Sequence, residues 1–165
     1  MKSEIGIVGG GLTGAMMALT LSHCSDSVTL LTQAPLSAKL HNDDNRTTTI
    51  NVAGKAMLEI LGVWSQLPKT PIPVARIMVA EGPVKTGRIA RSQWEFNLSW
   101  QDADHPMAYV VDNAALLEAL CHTLFTRPIT VLQPVTVTDY KLVAGKTRLN
   151  CANLNVPDFD LVIAC

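Results

Sequence analysis

Apolar positions near the N-terminus change their spacing twice. Glu4 to Val8 is a short, mainly apolar run that ends in glycines, the pattern of a buried parallel strand and its following turn. From Leu12 the residues Leu12, Ala15, Met16 and Leu19 fall at helical spacing, so one face of the predicted helix can lie on a sheet. Ser27 to Leu31 returns to strand character. Strand, glycine turn, helix and strand within about thirty residues make a βαβ unit.

Beyond it the spacing is mixed. His41 to Arg46 (HNDDNR) has the composition of an ordered loop. Asn51 is suited to cap a helix whose apolar positions Val52, Ala56 and Ile60 form one line, with Ala53, Met57 and Leu61 beside it and Gly62 at its C-terminus. Leu67 to Pro73 is interrupted by Pro68, Pro71 and Pro73, so it cannot be regular helix and is read as a crossing between two structural layers. Val74 to Ala80, Glu95 to Trp100 and Met107 to Val111 read as strands. Asp112 or Asn113 then caps a helix reaching about Phe125, with Leu116, Leu120 and Leu124 on its buried face. Ile129 to Leu132, Val135 to Leu142 and Lys146 to Cys151 alternate as an antiparallel group, and Leu161 to Cys165 reads as another buried strand. The fold class is therefore α/β, with a central parallel sheet plus antiparallel strands.

Composition narrows the function classes. The 165 residues are 48% hydrophobic and 16% charged, a globular balance on the scale of one domain. A formal net charge of −1 gives no broad attraction to nucleic acid, so none is expected as a partner. No apolar run approaches the roughly 20 residues of a membrane span, and Met1-Lys2-Ser3-Glu4 leads straight into a strand without a signal core, so a cytoplasmic location is expected. Cys24, Cys121, Cys151 and Cys165 are scattered without CxxC spacing; no metal is expected, and the thiols read as buried or incidental. His23, His41, His105 and His122 are equally dispersed. No Ser/His/Asp, Cys/His or paired-carboxylate pattern is visible, and no catalytic residue is assigned.

The chemistry resides in Gly9-Gly10-Gly11-Leu12-Thr13-Gly14, a GxGxxG between a strand and a helix. Gly9 allows the tight turn, Gly11 lets the backbone approach a pyrophosphate, and Gly14 permits close helix–strand packing. The first helical N–H groups, at Leu12 and Thr13, and the positive end of the helix dipole then face the phosphates. An acidic residue about 20 positions on usually binds the ribose. Thr32 and Gln33 stand there, both neutral but able to hydrogen-bond a ribose. Replacing a charge-assisted bond by a neutral one costs about 1–2 kcal/mol, near tenfold in affinity.

Three segments resemble a family. GGGLTG, DDNRTTTINVAGKAMLEILGVW (Asp43 to Trp64) and MAYVVDNAALLEAL (Met107 to Leu120) look like the FAD-dependent aromatic hydroxylases of ubiquinone biosynthesis, the 2-octaprenyl-6-methoxyphenol hydroxylase group within the para-hydroxybenzoate-hydroxylase-like flavin monooxygenases. The resemblance implies a Rossmann-like FAD-binding domain (1–70 and 112–165) with part of a substrate-domain β-sheet inserted (71–111). It also implies FAD as cofactor, NAD(P)H as reductant and a prenylated phenol as substrate. Other ubiquinone-biosynthesis proteins are implied as partners, and a loose, peripheral association with the inner membrane is compatible with such lipid-soluble substrates. Asp44-Asn45-Arg46 resembles the family's Asp-Gly-Arg loop, which implies that Arg46 lies near the flavin and its pyrophosphate; the residues alone also allow a solvated loop arginine. Trp64 reads as a packing residue.

Two departures qualify the resemblance. Family members commonly carry arginine after the Asn of the third segment, where this chain has Ala114, so Asp112 and Asn113 read equally as simple helix caps. Leu161 to Cys165 resembles the strand leading into the family's Gly-Ala-Asp-Gly motif, and the sequence stops before it; a full-length member is more than twice as long. The chain is thus incomplete relative to the family and expected to be inactive alone. Two alternatives remain: a non-catalytic nucleotide-binding remnant or interaction module, and a nicotinamide-dependent oxidoreductase sharing only the βαβ unit. The latter predicts further alternating strands and helices after residue 32.

Overall fold

A computed structural model describes residues 4–25, 27–36, 45–80, 95–99, 106–152 and 154–165. The strands are β1 (Ile5–Val8), β2 (Val28–Leu31), β3 (Thr47–Asn51), β4 (Ile72–Val74), β5 (Arg76–Ala80), β6 (Glu95–Ser99), β7 (Ala108–Asp112), β8 (Ile129–Leu132), β9 (Val137–Val143), β10 (Lys146–Cys151) and β11 (Leu161–Ala164). The helices are α1 (Leu12–Leu21), α2 (Val52–Leu61) and α3 (Asn113–Leu124).

Strands β1 and β2 are almost wholly apolar because both faces of their sheet are covered. That sheet is parallel and four-stranded, in the order β11-β1-β2-β8. On one face α1 and α3 pack against each other and against the strands, burying Ile5, Ile7, Leu30, Ala15, Ala18, Leu19, Leu116, Leu120 and Leu124 in one core. Asp112 caps α3 by accepting the Ala115 N–H at 3.1 Å, and Leu116, Leu120 and Leu124 are buried.

The other face is covered by the β9–β10 hairpin, closed at Ala144 and Gly145, both at positive φ. Here a second core gathers Leu31, Leu149 and the fully buried Phe159. A Cβ at Gly6 would stand 2.9 Å from the Phe159 ring, so the glycine in β1 is what lets that ring lie on the strand.

Two strand assignments differ from the sequence reading. Ile129–Leu132 is not part of an antiparallel group: it pairs parallel to β2, Val28 opposite Ile129, because α3 has already carried the chain back along the sheet. Only β9 and β10 pair antiparallel in that region. Strand β11 is not fully buried either; among the described residues it pairs with β1 alone, and Leu161 is 48% exposed at that edge.

After β2 the next described strand, β3, enters a separate antiparallel sheet, order β3-β7-β4, instead of continuing a strand–helix alternation. Helix α2 follows at once, with the Asn51 side chain accepting the Gly54 N–H at 2.8 Å and Gly62 in the left-handed region. Of the two apolar lines, only the end of the second is covered. Val52, Ala56 and Ile60 face outward, Ile60 at 76% exposure, whereas Leu58 and Leu61 enter the core. The helix is apolar on more than one side, and periodicity alone does not say which side is covered. A 3-10 turn at Trp64–Gln66 precedes the proline-rich crossing, and the expected Val74–Ala80 strand divides at Ala75, β4 joining β7 and β5 joining β6. Trp64 packs edge-on against Tyr109 at 5.2 Å. Of the polar HNDDNR stretch, 41–44 lie outside the described residues.

Two measurements check this arrangement. Cys24 and Cys165 are exposed, Cys121 is buried, and burial raises the Cys121 thiol above its ordinary range. A thiol reagent added to folded protein is expected to modify Cys24 and Cys165 quickly and Cys121 only on unfolding; rapid native labelling of Cys121 would refute the α1–α3 packing. Asp160 ties the start of β11 to β1 and β10: one carboxylate oxygen accepts the Glu4 N–H at 2.8 Å and the other faces Lys146 Nζ at 3.0 Å. The Glu4 amide first, and Lys146 second, hold its pKa below the ordinary 3.8. Its contribution is therefore present above that ordinary value and lost as pH falls through the lowered one. Asp160→Asn is expected to lower the urea midpoint at neutral pH and to narrow the gap to wild type under strong acid; a constant gap would count against the carboxylate.

Candidate nucleotide cradle at the carboxyl edge of the parallel sheet

From β1 the chain passes through α1 to β2 on one side, while β11 lies on the other, so the strand order reverses between β1 and β11. Open parallel sheets leave a crevice at such a point, beyond the carboxyl ends of the strands. Gly9, at φ +119°, turns the chain out of β1, with its N–H donating to the Leu31 carbonyl at 2.8 Å. Gly11 is the extended N-cap of α1, and no side chain caps the helix. The N–H groups of Leu12, Thr13 and Gly14 therefore open the helix beside the crevice, with Thr13 exposed.

The glycines divide into two kinds. A Cβ at Gly14 would run into the Gly9 carbonyl oxygen, one at Gly9 into the Cys165 carbonyl, and one at Gly10 into the Thr32 side chain. These positions are closed by the protein itself. A Cβ at Gly11 would meet nothing within 4 Å. It would project into open space beside the first N–H groups of α1, which in general suit an anion.

Thr32 and Gln33 follow β2, and the Thr32 side chain sits against Gly10 of this loop. Thr32 is buried and its hydroxyl donates to the Ala34 carbonyl at 2.8 Å, while Gln33 is exposed. Arg46 is not in the glycine loop: it directly precedes β3, is exposed, and its carbonyl accepts the Asn113 N–H at 3.1 Å. Asn113 also accepts from Thr48 Oγ1 at 2.6 Å, and Asp112 meets Lys69 at 3.0 Å besides capping α3. Lys69 foremost, then the Ala115 N–H, keeps the Asp112 carboxyl below its ordinary range. The Asn113 side chain thus ties the start of α3 to β3, while the Asp112 carboxylate is engaged by α3 and Lys69.

Two features were not read from the sequence. The Cys165 N–H donates to the Val8 carbonyl at 2.8 Å and its own carbonyl closes over Gly9, so β11 forms a wall of the cradle. Beside the cradle, Leu12, Met16, Met17, Ile50, Met57 and Leu116 line a mainly apolar cavity of about 490 Å³ between α1, α2 and β3. Leu12, Met16, Met57 and Leu116 were legible as apolar helix positions, but not that they converge on one cavity. Among the described residues no group of His, Cys, Asp and Glu is placed to hold a metal ion, and no helix is long and apolar enough to cross a membrane.

Comparison with solved structures first gives the class of fold. The chain is similar to p-nitrophenol 4-monooxygenase PnpA from Pseudomonas putida (TM-score 0.68, 16% identity, 99% of this chain and 39% of that one). It is similarly close to CtdE, solved in complex with FAD (TM-score 0.61, 15% identity, 99% and 38%). At such identities the likeness concerns the fold. The curated relatives are more particular. Ubiquinone hydroxylase UbiL of Rhodospirillum rubrum is 28% identical over 82% of this chain, and 3-demethoxyubiquinol 3-hydroxylase of Escherichia coli is 28% identical over 79%. The resemblance to ubiquinone-biosynthesis hydroxylases is thus present in the relatives as well as in the motifs. The chain spans 30% and 32% of their lengths. No protein-family profile matches it.

A glycine scan separates the two kinds of position. Gly14→Ala is expected to cost about 1–3 kcal/mol or more by overpacking, and Gly11→Ala to stay within about 1 kcal/mol of wild type. Equal losses in urea denaturation would contradict the division.

Proposed function

We propose that this chain is the nucleotide-binding part of an FAD-dependent monooxygenase that hydroxylates a prenylated phenol in ubiquinone biosynthesis. The observation that carries it is Gly11: it alone in the glycine loop faces open space, at the switch point of a parallel sheet and the start of a helix. The names of the curated relatives support the substrate class. In this reading 1–70 and 112–165 contribute the Rossmann-like FAD-binding domain, and 71–111 contribute strands of the substrate sheet.

FAD, reduced by NAD(P)H, supplies the oxygen-activating chemistry when bound. The chain's own residues bind and orient. Gly9 and Gly14 fix the loop, the N–H groups of Leu12, Thr13 and Gly14 receive the diphosphate, and the end of β2 meets the ribose. Arg46, two residues before the cavity-lining Thr48, offers a guanidinium to the flavin side of the diphosphate. Other ubiquinone-biosynthesis proteins as partners, and a peripheral membrane association, follow from the same reading.

With only about a third of the relatives' length and no acidic ribose ligand, the isolated chain is expected to bind FAD weakly and to show no hydroxylase turnover. Stoichiometric flavin surviving gel filtration would overturn the weak binding. Gly11→Val is expected to abolish the residual ADP-ribose or FAD binding seen by titration calorimetry while leaving Tm unchanged; an equal loss of Tm without ligand would overturn the cradle.

A further inference from the structure

The hairpin on the second face of the parallel sheet has one closed side and one open side. β10 is closed, because Thr147 exchanges both of its backbone hydrogen bonds with Phe159. β9, seven residues long, pairs with β10 alone among the described residues. Since the Thr147 N–H and C=O turn toward Phe159, Thr147 and the Leu142 opposite it form a non-hydrogen-bonded pair. Such pairs alternate along an antiparallel ladder, so Tyr140, opposite Leu149, is placed like Leu142. Both residues turn their backbone groups to the free edge. The Tyr140 N–H accordingly donates to no strand but to the side chain of its neighbour, Asp139 Oδ1, at 2.8 Å. Tyr140 and Leu142 are also 67% and 77% exposed, although they share a face with the buried Leu149.

A lysine on an open edge ordinarily deters strand pairing. In β9, Lys141 stands two residues from Asp139, with Tyr140 between them. We propose that β9 is a self-association edge, through which two copies of this chain pair antiparallel about a twofold axis at Tyr140. The Tyr140 residues of the two copies then exchange their outward N–H and C=O groups. Asp139 of each copy falls opposite Lys141 of the other, in the pair type whose side chains lie closest. The opposition occurs twice, once on each side of the axis. A shift of the axis by one residue sets Asp139 against Asp139 or Lys141 against Lys141, so charge selects this register. On the other face the two Tyr140 rings meet and Leu142 falls opposite Thr138, which covers the exposed apolar surface. The product is one continuous sheet in the order β10-β9-β9-β10, and its formation requires no nucleotide.

The test is sedimentation of the whole 165-residue chain over a range of concentrations. A contact between two strands is small, so a reversible dimer with a Kd of about 10–100 µM is expected. Asp139→Lys and Lys141→Asp each set like charges opposite one another at both pairs, and each is expected to weaken the dimer about tenfold or more. An equimolar mixture of the two variants restores opposite charges across the strands, as does the double variant carrying both substitutions. Both are expected to dimerise as wild type does. The two positions are exposed, and unchanged Tm values check folding. Amide exchange at Tyr140 and Leu142 gives a readout that needs no variant: it is expected to slow as the wild-type concentration rises through the Kd. Wild type that stays monomeric up to about 1 mM would overturn the proposal. So would single variants that dimerise like wild type, a mixture and double variant as weak as the singles, or exchange at Tyr140 and Leu142 that is indifferent to concentration.

Discussion

The contact between Gly14 and the carbonyl of Gly9 governs much of the rest of this structure. The space a Cβ would need at Gly14 is already taken by that oxygen. Helix α1 therefore sits against the end of β1 with its first turn beside the strand's carboxyl end. From there its apolar residues Ala15, Ala18 and Leu19 reach the sheet and α3. A larger residue at position 14 would lift the helix away, opening the core beneath it and turning its N–H groups from the crevice. One close backbone approach thus couples packing to the aim of the helix dipole.

The sheet's second face obeys a similar constraint with different chemistry. Gly6 lies in β1 itself, and the Phe159 ring occupies the place of its missing side chain. Phe159 also exchanges two backbone hydrogen bonds with Thr147 of β10, at 2.7 and 2.9 Å. The aromatic ring thereby pins the hairpin to the strand that carries the glycine loop. β1 is held from above by a helix and from below by a ring, each allowed by a glycine. Strand β11 then closes its free edge, and its last backbone groups complete the loop around Gly9. Without β11, β1 would be an edge strand and the reversal of strand order that makes the crevice would not exist.

What the sequence made legible follows from these constraints. The βαβ start, the caps at Asn51 and Asp112, and the buried face of α3 were readable because each is encoded locally, by spacing or by a side chain beside its own helix. The misreadings all concern partners far away in the chain. Ile129 to Leu132 has the same alternation whether it joins β2 or β9; direction came from the preceding helix and not from the strand's own residues. In α2 the line Val52, Ala56, Ile60 is as apolar as the line that is buried, so the covered side depended on β3 and the cores beyond it. Gly6 looked like an ordinary strand residue because its reason, Phe159, lies 153 positions on. In the cradle, Gly9, Gly11 and Gly14 were legible by type and spacing. That Thr32 is buried over Gly10 and leaves Gln33 exposed was not, because both are neutral residues at one strand end.

The balance of forces at that strand end bears on how the cradle is proposed to hold a nucleotide. A helix N-terminus contributes about 0.3–1 kcal/mol to an anion when exposed, and up to about 2 when partly buried. A charged ribose ligand would contribute a comparable amount. With the second contribution absent, the first gains weight, and it falls off within the first turn of the helix. Placement of that turn is set by the Gly9–Gly14 contact, so in the proposed cradle backbone geometry carries more weight than side-chain charge.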